Sequence, residues 1–314
     1  MRLYTTDRGI GREDHVGTLA LLDLPYRDLG ELLSGPGLDA ARSAAVTEEV
    51  ELAEARLLAP IIRPGKILIV GLNYPSHAEE ALAAFAAMGR GDIAMPTEPN
   101  MHLIAGSATI GPTDEIKLPA IAPDEVDYEG ELAVVMGQAA ASVPVDRAWD
   151  YVAGLTIAND LGARDIQRRA MAGDPVASIG VAKSFDTFKP LGPCLVTADE
   201  FSGGPDLRLQ TRVNGEVRQD DRTSSFIYSI AELVAHFSKH QTLHPGDVIC
   251  TGTPSGAGFF SGRYLRPGDE VEVTIERIGV LRNRVSAAND ERDWEAVDSD
   301  IAACPRHAIS VIDD

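Results

Sequence analysis

The chain has 314 residues, of which 44% are hydrophobic and 24% are charged. At about 150 residues per domain this length allows roughly two domains, and the composition is too apolar for a disordered chain. The 28 basic and 48 acidic residues give a formal net charge of −20. This charge argues against nucleic acid and anionic membranes as partners. It would also repel an anionic metabolite unless a local cation reversed the field.

The apolar segments and the cysteines predict a protein without membrane association or disulfides. No segment reaches the roughly 18 apolar residues of a membrane span, and the N-terminus lacks the apolar core of a signal peptide. Cys194, Cys250 and Cys304 are odd in number and widely spaced, so neither a disulfide framework nor a CxxC metal site is expected. We therefore expect a cytoplasmic protein.

Residues 1–62 are predicted to form a small N-terminal domain. A strand around Val16–Asp23 precedes two helical stretches, Leu29–Leu33 and Leu38–Ala45. A segment punctuated by proline and glycine at 60–65 then separates this region from a new apolar run.

Residues 63–289 predict a β-dominated α+β catalytic domain, because short apolar strands separated by turn residues outnumber helices. The predicted strands are Lys66–Val70, Glu131–Met136, Leu207–Val213, Asp247–Thr251 and Glu270–Ile275, and the predicted helices are Ser76–Ala87, Val145–Val152, Leu161–Ala172 and Ser229–Ser238. Residues 290–314 hold eight acids and two arginines, which indicates an exposed acidic C-terminal tail.

Two carboxylates stand at the start of a predicted apolar strand, in Asp127-Tyr-Glu-Gly-Glu131. Residues i and i+2 of a strand share a face, so Glu129 and Glu131 lie side by side. Two adjacent carboxylates require a cation or a shared proton. A solvated strand face is the alternative, but the apolar residues that follow carry the pair towards the core.

A third carboxylate, Asp160, ends the apolar run 153–160 just before a predicted helix. It is either an ordinary helix N-cap or a ligand displayed at a strand end. Three carboxylates without an accompanying His or Cys favour a hard divalent ion such as magnesium, manganese or calcium.

His77 and Glu80 are three residues apart in a predicted helix. This spacing allows the carboxylate to orient the imidazole, which makes His77 a candidate general base for activating water. A surface hydrogen bond is the alternative explanation of the same pattern.

Two further patterns carry weaker predictions. His236, His240 and His244 have helical metal-ligand spacing, but Pro245 disfavours helical geometry at His244. The glycine-rich segment 251–258 lacks a Gly-Lys-Ser/Thr motif, so it is better explained as a loop that offers backbone amides and the Thr253 hydroxyl to a carboxylate than as a nucleotide site.

Taken in order, these motifs resemble the fumarylacetoacetate hydrolase superfamily over about residues 55–285, and in particular its short-chain group of 2-oxo acid hydrolases, decarboxylases and isomerases. The matching segments are Pro64–Tyr74, His77-x-x-Glu80, Asp127–Leu132, Asn159–Gln167, Lys183–Pro193, Val213–Gln219, Leu243–Ile249 and Thr251–Gly256.

The resemblance implies a mixed β-sandwich roll that forms a homodimer and binds Mg²⁺ or Mn²⁺. It implies Glu129, Glu131 and Asp160 as metal ligands and Lys183 as an active-site lysine. It also implies Arg164, Gln167 and Thr253 as substrate-binding residues, and His77 with Glu80 as a base dyad on a lid.

The leading hypothesis is a metal-dependent hydrolase that cleaves a C–C bond in a 2-oxo or 1,3-dioxo acid resembling an acylpyruvate. The metal would stabilise an enolate, and His77 oriented by Glu80 would activate water. A decarboxylase, tautomerase or isomerase of a 2-oxo diacid on the same scaffold is the alternative, and a non-catalytic ligand-binding homologue is a third.

The chain departs from the resembled pattern beside the expected substrate. Many short-chain members carry Phe-x-Lys after the lid, where this chain has His102 and Ile104. The segment 81–98 is also longer and rich in alanine, which predicts a bulkier or more helical lid.

Overall fold

The computed structural model describes residues 1–87, 89, 91, 94–201 and 204–287. Within these ranges the chain has a β-dominated α+β fold, as predicted, with nineteen strands in three sheets. None of the helices in the described part is both long and apolar enough to cross a membrane. Cys304 and the predicted acidic tail lie outside the described residues.

The strands are short and distributed along the whole chain. They are β1 Arg2–Thr6, β2 Gly9–His15, β3 Thr18–Leu22, β4 Val46–Glu51, β5 Leu57–Leu58, β6 Ile67–Val70, β7 Met101–Ile104, β8 Thr109–Ile110, β9 Ile116–Lys117, β10 Val126–Asp127, β11 Gly130–Met136, β12 Val152–Asn159, β13 Gly162–Ala163, β14 Lys189–Thr197, β15 Arg208–Val213, β16 Glu216–Arg222, β17 Val248–Cys250, β18 Glu270–Ile275 and β19 Gly279–Ser286.

The helices lie between groups of strands. The α-helices are α1 Leu29–Ser34, α2 Leu38–Ser43, α3 Pro75–Ala87, α4 Arg164–Met171, α5 Ile179–Lys183, α6 Ile230–His240 and α7 Gly258–Ser261, and short 3-10 helices occupy Leu52–Glu54, Gly106–Ala108, Val145–Tyr151, Ala198–Glu200 and Thr223–Ser225.

Two helix predictions need correction. The helix predicted at 145–152 is a 3-10 helix over Val145–Tyr151. The helix predicted at 161–172 begins only at Arg164, because Gly162 and Ala163 instead form β13 and pair with β10.

The main sheet has the order β4-β3-β2-β1-β14-β12-β11-β17-β6-β7, with β5 added beside β1 and β8 beside β14. The N-terminal strands therefore share a sheet with the central strands through β1, where Arg2 pairs with Val196. A second sheet has the order β16-β15-β18-β19-β9. A boundary at residue 62 remains a prediction.

Strand β11 is buried on both faces, which explains its unbroken apolar run. Leu132 and Val134 pack in one core cluster with residues of β15 and β18, such as Leu209 and Val273. Ala133 and Val135 point the other way, into a second cluster with residues of β6 and α1. This rigid two-sided packing fixes the start of β11, where the acidic residues lie.

Candidate active site

Three carboxylates meet where β11 begins and β12 ends. The strands are antiparallel and Gly130 pairs with Asn159, so Glu129 and Glu131 come next to Asp160. Asp160 N donates to Glu129 O at 2.8 Å. One carboxylate oxygen from each of the three acids lies within 4.8 Å of the other two, and all three residues are buried. The predicted ligand set is thus assembled in space.

A sharp turn after β17 holds Glu131. Gly252 has φ of +93°, and a Cβ at this position would lie 2.8 Å from Asn73 Cβ, so glycine is required here. In this conformation Gly252 N donates to Glu131 Oε2 at 2.8 Å. The Asn73 side chain donates to Thr251 O at 2.7 Å, which ties the segment after β6 to the same turn.

Three buried cations surround the carboxylates. Lys183 Nζ contacts both Glu129 and Asp160. Arg164 bridges Asp127, with Nε 2.9 Å from Oδ2, and Glu129. Lys189 Nζ lies 2.8 Å from Asp160 Oδ1. All three cations follow β12 in the chain, on α4, at the end of α5 and at the start of β14.

With the acids and the cations of this cluster all ionised, the formal charges do not balance. Arg164, Lys183 and Lys189 face Asp127 and the three carboxylates, which leaves a formal charge of −1. Burial, reinforced by Asp160 and Glu129, raises the pKa of Glu131 well above its ordinary value. Burial also opposes ionisation of Glu129, but Arg164 and Lys183 outweigh it and hold the pKa of Glu129 below its ordinary value.

These residues fit a divalent ion. Asp160 Oδ1 is buried and has Lys189 Nζ at 2.8 Å, but it receives no aligned hydrogen bond from the described residues. Three buried carboxylates that converge in this way, one with an incompletely satisfied oxygen, are the donor set that Mg²⁺ or Mn²⁺ prefers. Glu129, Glu131 and Asp160 would hold the ion, and its charge would bring the cluster to a formal +1, which suits an anionic substrate.

A cavity of about 220 Å³ opens onto these carboxylates. Apolar side chains from α3, α5 and α7 form much of its wall, and Arg164, Lys183, Gln167 and Thr253 also line it. Two further polar side chains line it from the segment that contains β7: His102, which the sequence placed beside the substrate, and Asn100, which it did not. The cavity is therefore a small, largely apolar pocket with polar groups at defined points.

His77 lines the cavity from the first turn of α3, and Glu80 lies behind it. His77 Nδ1 is 3.7 Å from Glu80 Oε2, which is too long for a hydrogen bond, and within the described residues Nδ1 has no hydrogen-bond partner. Glu80 Oε2 instead accepts from Gly256 N at 3.2 Å. The two residues are neighbours, but the carboxylate does not orient the imidazole in this structure.

Thr253 and Gln167 are held by protein partners. Thr253 Oγ1 donates to Gly130 O at 2.9 Å and accepts from Gln219 Nε2 at 2.8 Å. Gln167 Oε1 accepts from Arg164. The Thr253 hydroxyl therefore fixes the position of the 251–256 loop relative to β11, and a role in substrate binding remains a prediction for both residues.

Sequence reasoning missed three residues that build the site. Lys189 is fully buried and donates to three backbone carbonyl oxygens, of Leu161, Lys183 and Phe188. Gln219 links Gly130 N to Thr253, and Asp127 accepts from Arg164. All three lie within matched motifs, and a charged residue at the start of an apolar strand, as Lys189 is in β14, was an available signal for that residue.

The three histidines with helical spacing do not form a candidate metal site like the carboxylate triad. The rings of His236 and His240 are 4.9 Å apart on α6, and His244 lies beyond the helix end. In the part of the chain that the structure describes, Glu129, Glu131 and Asp160 are the only group of three or more candidate ligands close enough to hold an ion.

Comparison with known proteins agrees with this geometry. The family model described as fumarylacetoacetate (FAA) hydrolase C-terminal matches residues 66–286. The chain therefore belongs to the fumarylacetoacetate hydrolase family, a class that contains tautomerases, isomerases and hydrolases among the relatives found.

Three relatives illustrate that range. Oxaloacetate tautomerase FAHD2A, mitochondrial, of Homo sapiens is 40% identical over 234 residues, which cover 74% of this chain and 70% of the human protein. A 2-hydroxyhepta-2,4-diene-1,7-dioate isomerase from Mycobacterium marinum is 33% identical with a TM-score of 0.69, covering 92% and 100% of the two chains. A maleylpyruvate hydrolase from Sphingobium sp. SYK-6, solved with manganese (II) ion and pyruvate, is 28% identical with a TM-score of 0.72 and the same coverage.

Proposed function

We propose that this protein is a divalent-metal-dependent enzyme that interconverts the keto and enol forms, or the double-bond isomers, of a 2-oxo diacid. The observation that carries the proposal is the buried carboxylate triad with Lys183 between two of its members, at the end of a small cavity that His77 also lines. The tautomerase and isomerase relatives support this reaction type.

The chain's own residues have separable tasks in this reaction. A divalent ion held by the triad would act as a Lewis acid towards the carboxylate and 2-oxo oxygen of the substrate. Lys183 and Arg164 keep Glu129 ionised and add positive charge beside the place where enolate charge develops. His77 would carry the proton that C3 gains or loses.

The groups that line the cavity are sufficient for tautomerisation. The enol O–H gives up one proton and C3 takes up one proton, so the atoms balance without water or another reactant. A single imidazole with access to the cavity is sufficient for this transfer, and His77 satisfies that requirement.

Hydrolysis of a C–C bond is the second candidate, supported by the likeness to a maleylpyruvate hydrolase. It needs a water molecule and a base that a carboxylate orients. The 3.7 Å separation of His77 and Glu80 supplies that orientation less directly than a hydrogen bond would, and for this reason we place hydrolysis second.

Product analysis separates the two reactions. Enol oxaloacetate and a panel of acylpyruvates are incubated with the protein, with Mg²⁺ or with EDTA. We expect accelerated loss of enol absorbance with Mg²⁺ and no acylpyruvate fragments by mass spectrometry. Hydrolytic fragments without enol conversion would reverse the order of the two candidates.

The homodimer implied by the resemblance and the cytoplasmic location expected from the sequence remain predictions.

A further inference from the structure

The cavity has polar groups that the proposed reaction does not use. Among the uncharged polar side chains that line it, Thr253 both donates to and accepts from protein partners, Gln167 is bonded to Arg164 beside the carboxylate triad, and His77 is assigned to proton transfer. The side chains of Asn100 and His102 remain. They are two residues apart at and just before β7, so they share one face of that strand, and both line the cavity.

The surrounding structure holds the Asn100 side chain and the backbone of His102. Asn100 Oδ1 accepts from Gly71 N at 2.7 Å, so its NH₂ group is the end left to serve a ligand. His102 pairs with Ile69 across β6 and β7 and is half-buried. Burial, and then Lys183, lower the pKa of His102, so the imidazole is neutral near pH 7 and has one N–H to donate.

We infer that Asn100 and His102 are the specificity-determining residues of this site and that they bind the distal carboxylate of a 2-oxo diacid. Two uncharged donors on one strand face can meet the two oxygens of a carboxylate. The cations Arg164 and Lys183 are already committed to Asp127, Glu129 and Asp160. A methyl group in the same place would leave the Asn100 NH₂ group and the His102 N–H without an acceptor from the ligand, which disfavours a monoacid.

The inference refines the proposed function, but a pair of unreactive ligands tests it without turnover. Malate and 2-hydroxybutanoate have the same four-carbon chain and differ only in a carboxylate or a methyl group at C4. Their binding to the Mn²⁺-loaded protein is measured by isothermal titration calorimetry. We expect the wild-type protein to bind malate at least about tenfold more tightly than 2-hydroxybutanoate.

Variants then assign this preference to the two residues. His102→Phe and Asn100→Ala should each reduce the malate preference to within about twofold while 2-hydroxybutanoate binds as before. His102→Gln keeps a donor and should restore part of the preference. Leu103→Ala is the matched control, because Leu103 is the neighbouring exposed residue of β7.

The outcomes are distinct. Equal binding of both ligands to the wild-type protein, an unchanged malate preference in His102→Phe and Asn100→Ala, or an equal loss of both ligands in those variants would overturn the inference. A failure of the proposed reaction would show instead as absent enol conversion by a wild-type protein that still discriminates between the two ligands.

Discussion

At the scale of single residues, the charge of Glu131 should affect the stability of the metal-free protein differently from that of the metal-bound protein. Its carboxylate is buried, accepts from Gly252 N and forms no salt bridge with any of the described residues. An acid whose pKa is raised by folding binds more protons in the folded than in the unfolded state. By linkage its contribution to stability falls as the pH rises above the ordinary Glu value of about 4.3.

Glu131→Gln should therefore stabilise the metal-free protein at pH 7, because the amide resembles the protonated acid in size and carries no charge. We expect a higher Tm than that of the wild-type protein at pH 7 and a smaller difference near pH 4. Added Mn²⁺ should raise the Tm of the wild-type protein only. Glu49→Gln, at an exposed position on β4, is the control. A lower Tm for metal-free Glu131→Gln at pH 7 would contradict the charge account.

Lys189 has a structural task, because most of its hydrogen bonds are to the backbone. Its Nζ donates to three backbone carbonyl oxygens and lies 2.8 Å from Asp160 Oδ1. Lys189→Met would leave these buried acceptors unsatisfied, and we expect the free energy of unfolding to fall by about 3 kcal/mol. Urea denaturation measures this loss. Lys239→Met, on the exposed side of α6, should change stability little, and equal effects of the two substitutions would argue against the role of Lys189.

At the scale of elements, the start of α3 is anchored to two other segments. Ser76 Oγ donates to Asp221 Oδ2 at 3.0 Å and accepts from Ser255 N at 3.3 Å. His77 is the next residue, so these bonds place the imidazole at the cavity. Such bonds raise the free energy of local opening of the first helical turn, which amide hydrogen exchange can measure.

Ser76→Ala should loosen the first turns of α3. We expect the amides of residues 77–81 to exchange several-fold faster and kcat to fall, with Mn²⁺ binding unchanged because no metal ligand is touched. Ser43→Ala at the end of α2, which is exposed, is the matched control. Unchanged exchange together with unchanged kcat would show that Ser76 does not hold His77 in place.

The elements also show which parts of the site could be predicted from sequence. Strand periodicity and the apolar run after Glu131 predicted the carboxylates, because these signals are local. The hydrogen bonds from Gln219 to Gly130 and Thr253, and the contact of Lys189 with Asp160, join residues distant in sequence, and no local pattern specifies such partners. The pairing of β1 with β14 spans nearly 200 residues, so the sequence did not indicate that the N-terminal strands extend the main sheet.

At the scale of the whole molecule, the net charge of −20 opposes the approach of an acidic substrate, although the metal-loaded site would be locally positive. The long-range field is screened within about 30 Å at 0.01 M salt and about 10 Å at 0.1 M. The local charge acts at contact distance and is screened less. Added salt should therefore speed the approach of an acidic substrate if the net charge dominates and slow it if the local positive charge dominates.

If the long-range field controls encounter, kcat/KM for oxaloacetate should rise about twofold or more between 10 and 200 mM NaCl. Initial rates at saturating Mg²⁺ measure this, and kcat should stay constant because the bound substrate no longer crosses the field. A fall in kcat/KM over the same range would show that the local cations dominate the approach of the substrate.

The central claim is that the carboxylate triad and His77 together enolise a 2-oxo acid. The most direct measurement is exchange of the C3 hydrogens of oxaloacetate for deuterium in D₂O, followed by NMR with Mg²⁺ and corrected for the rate with Mg²⁺ alone. We predict rapid exchange with the wild-type protein, loss of the acceleration with EDTA or in Asp160→Asn, and loss in His77→Ala with Mn²⁺ binding retained. Exchange by the wild-type protein no faster than in its absence, or equally fast in Asp160→Asn, would contradict the claim.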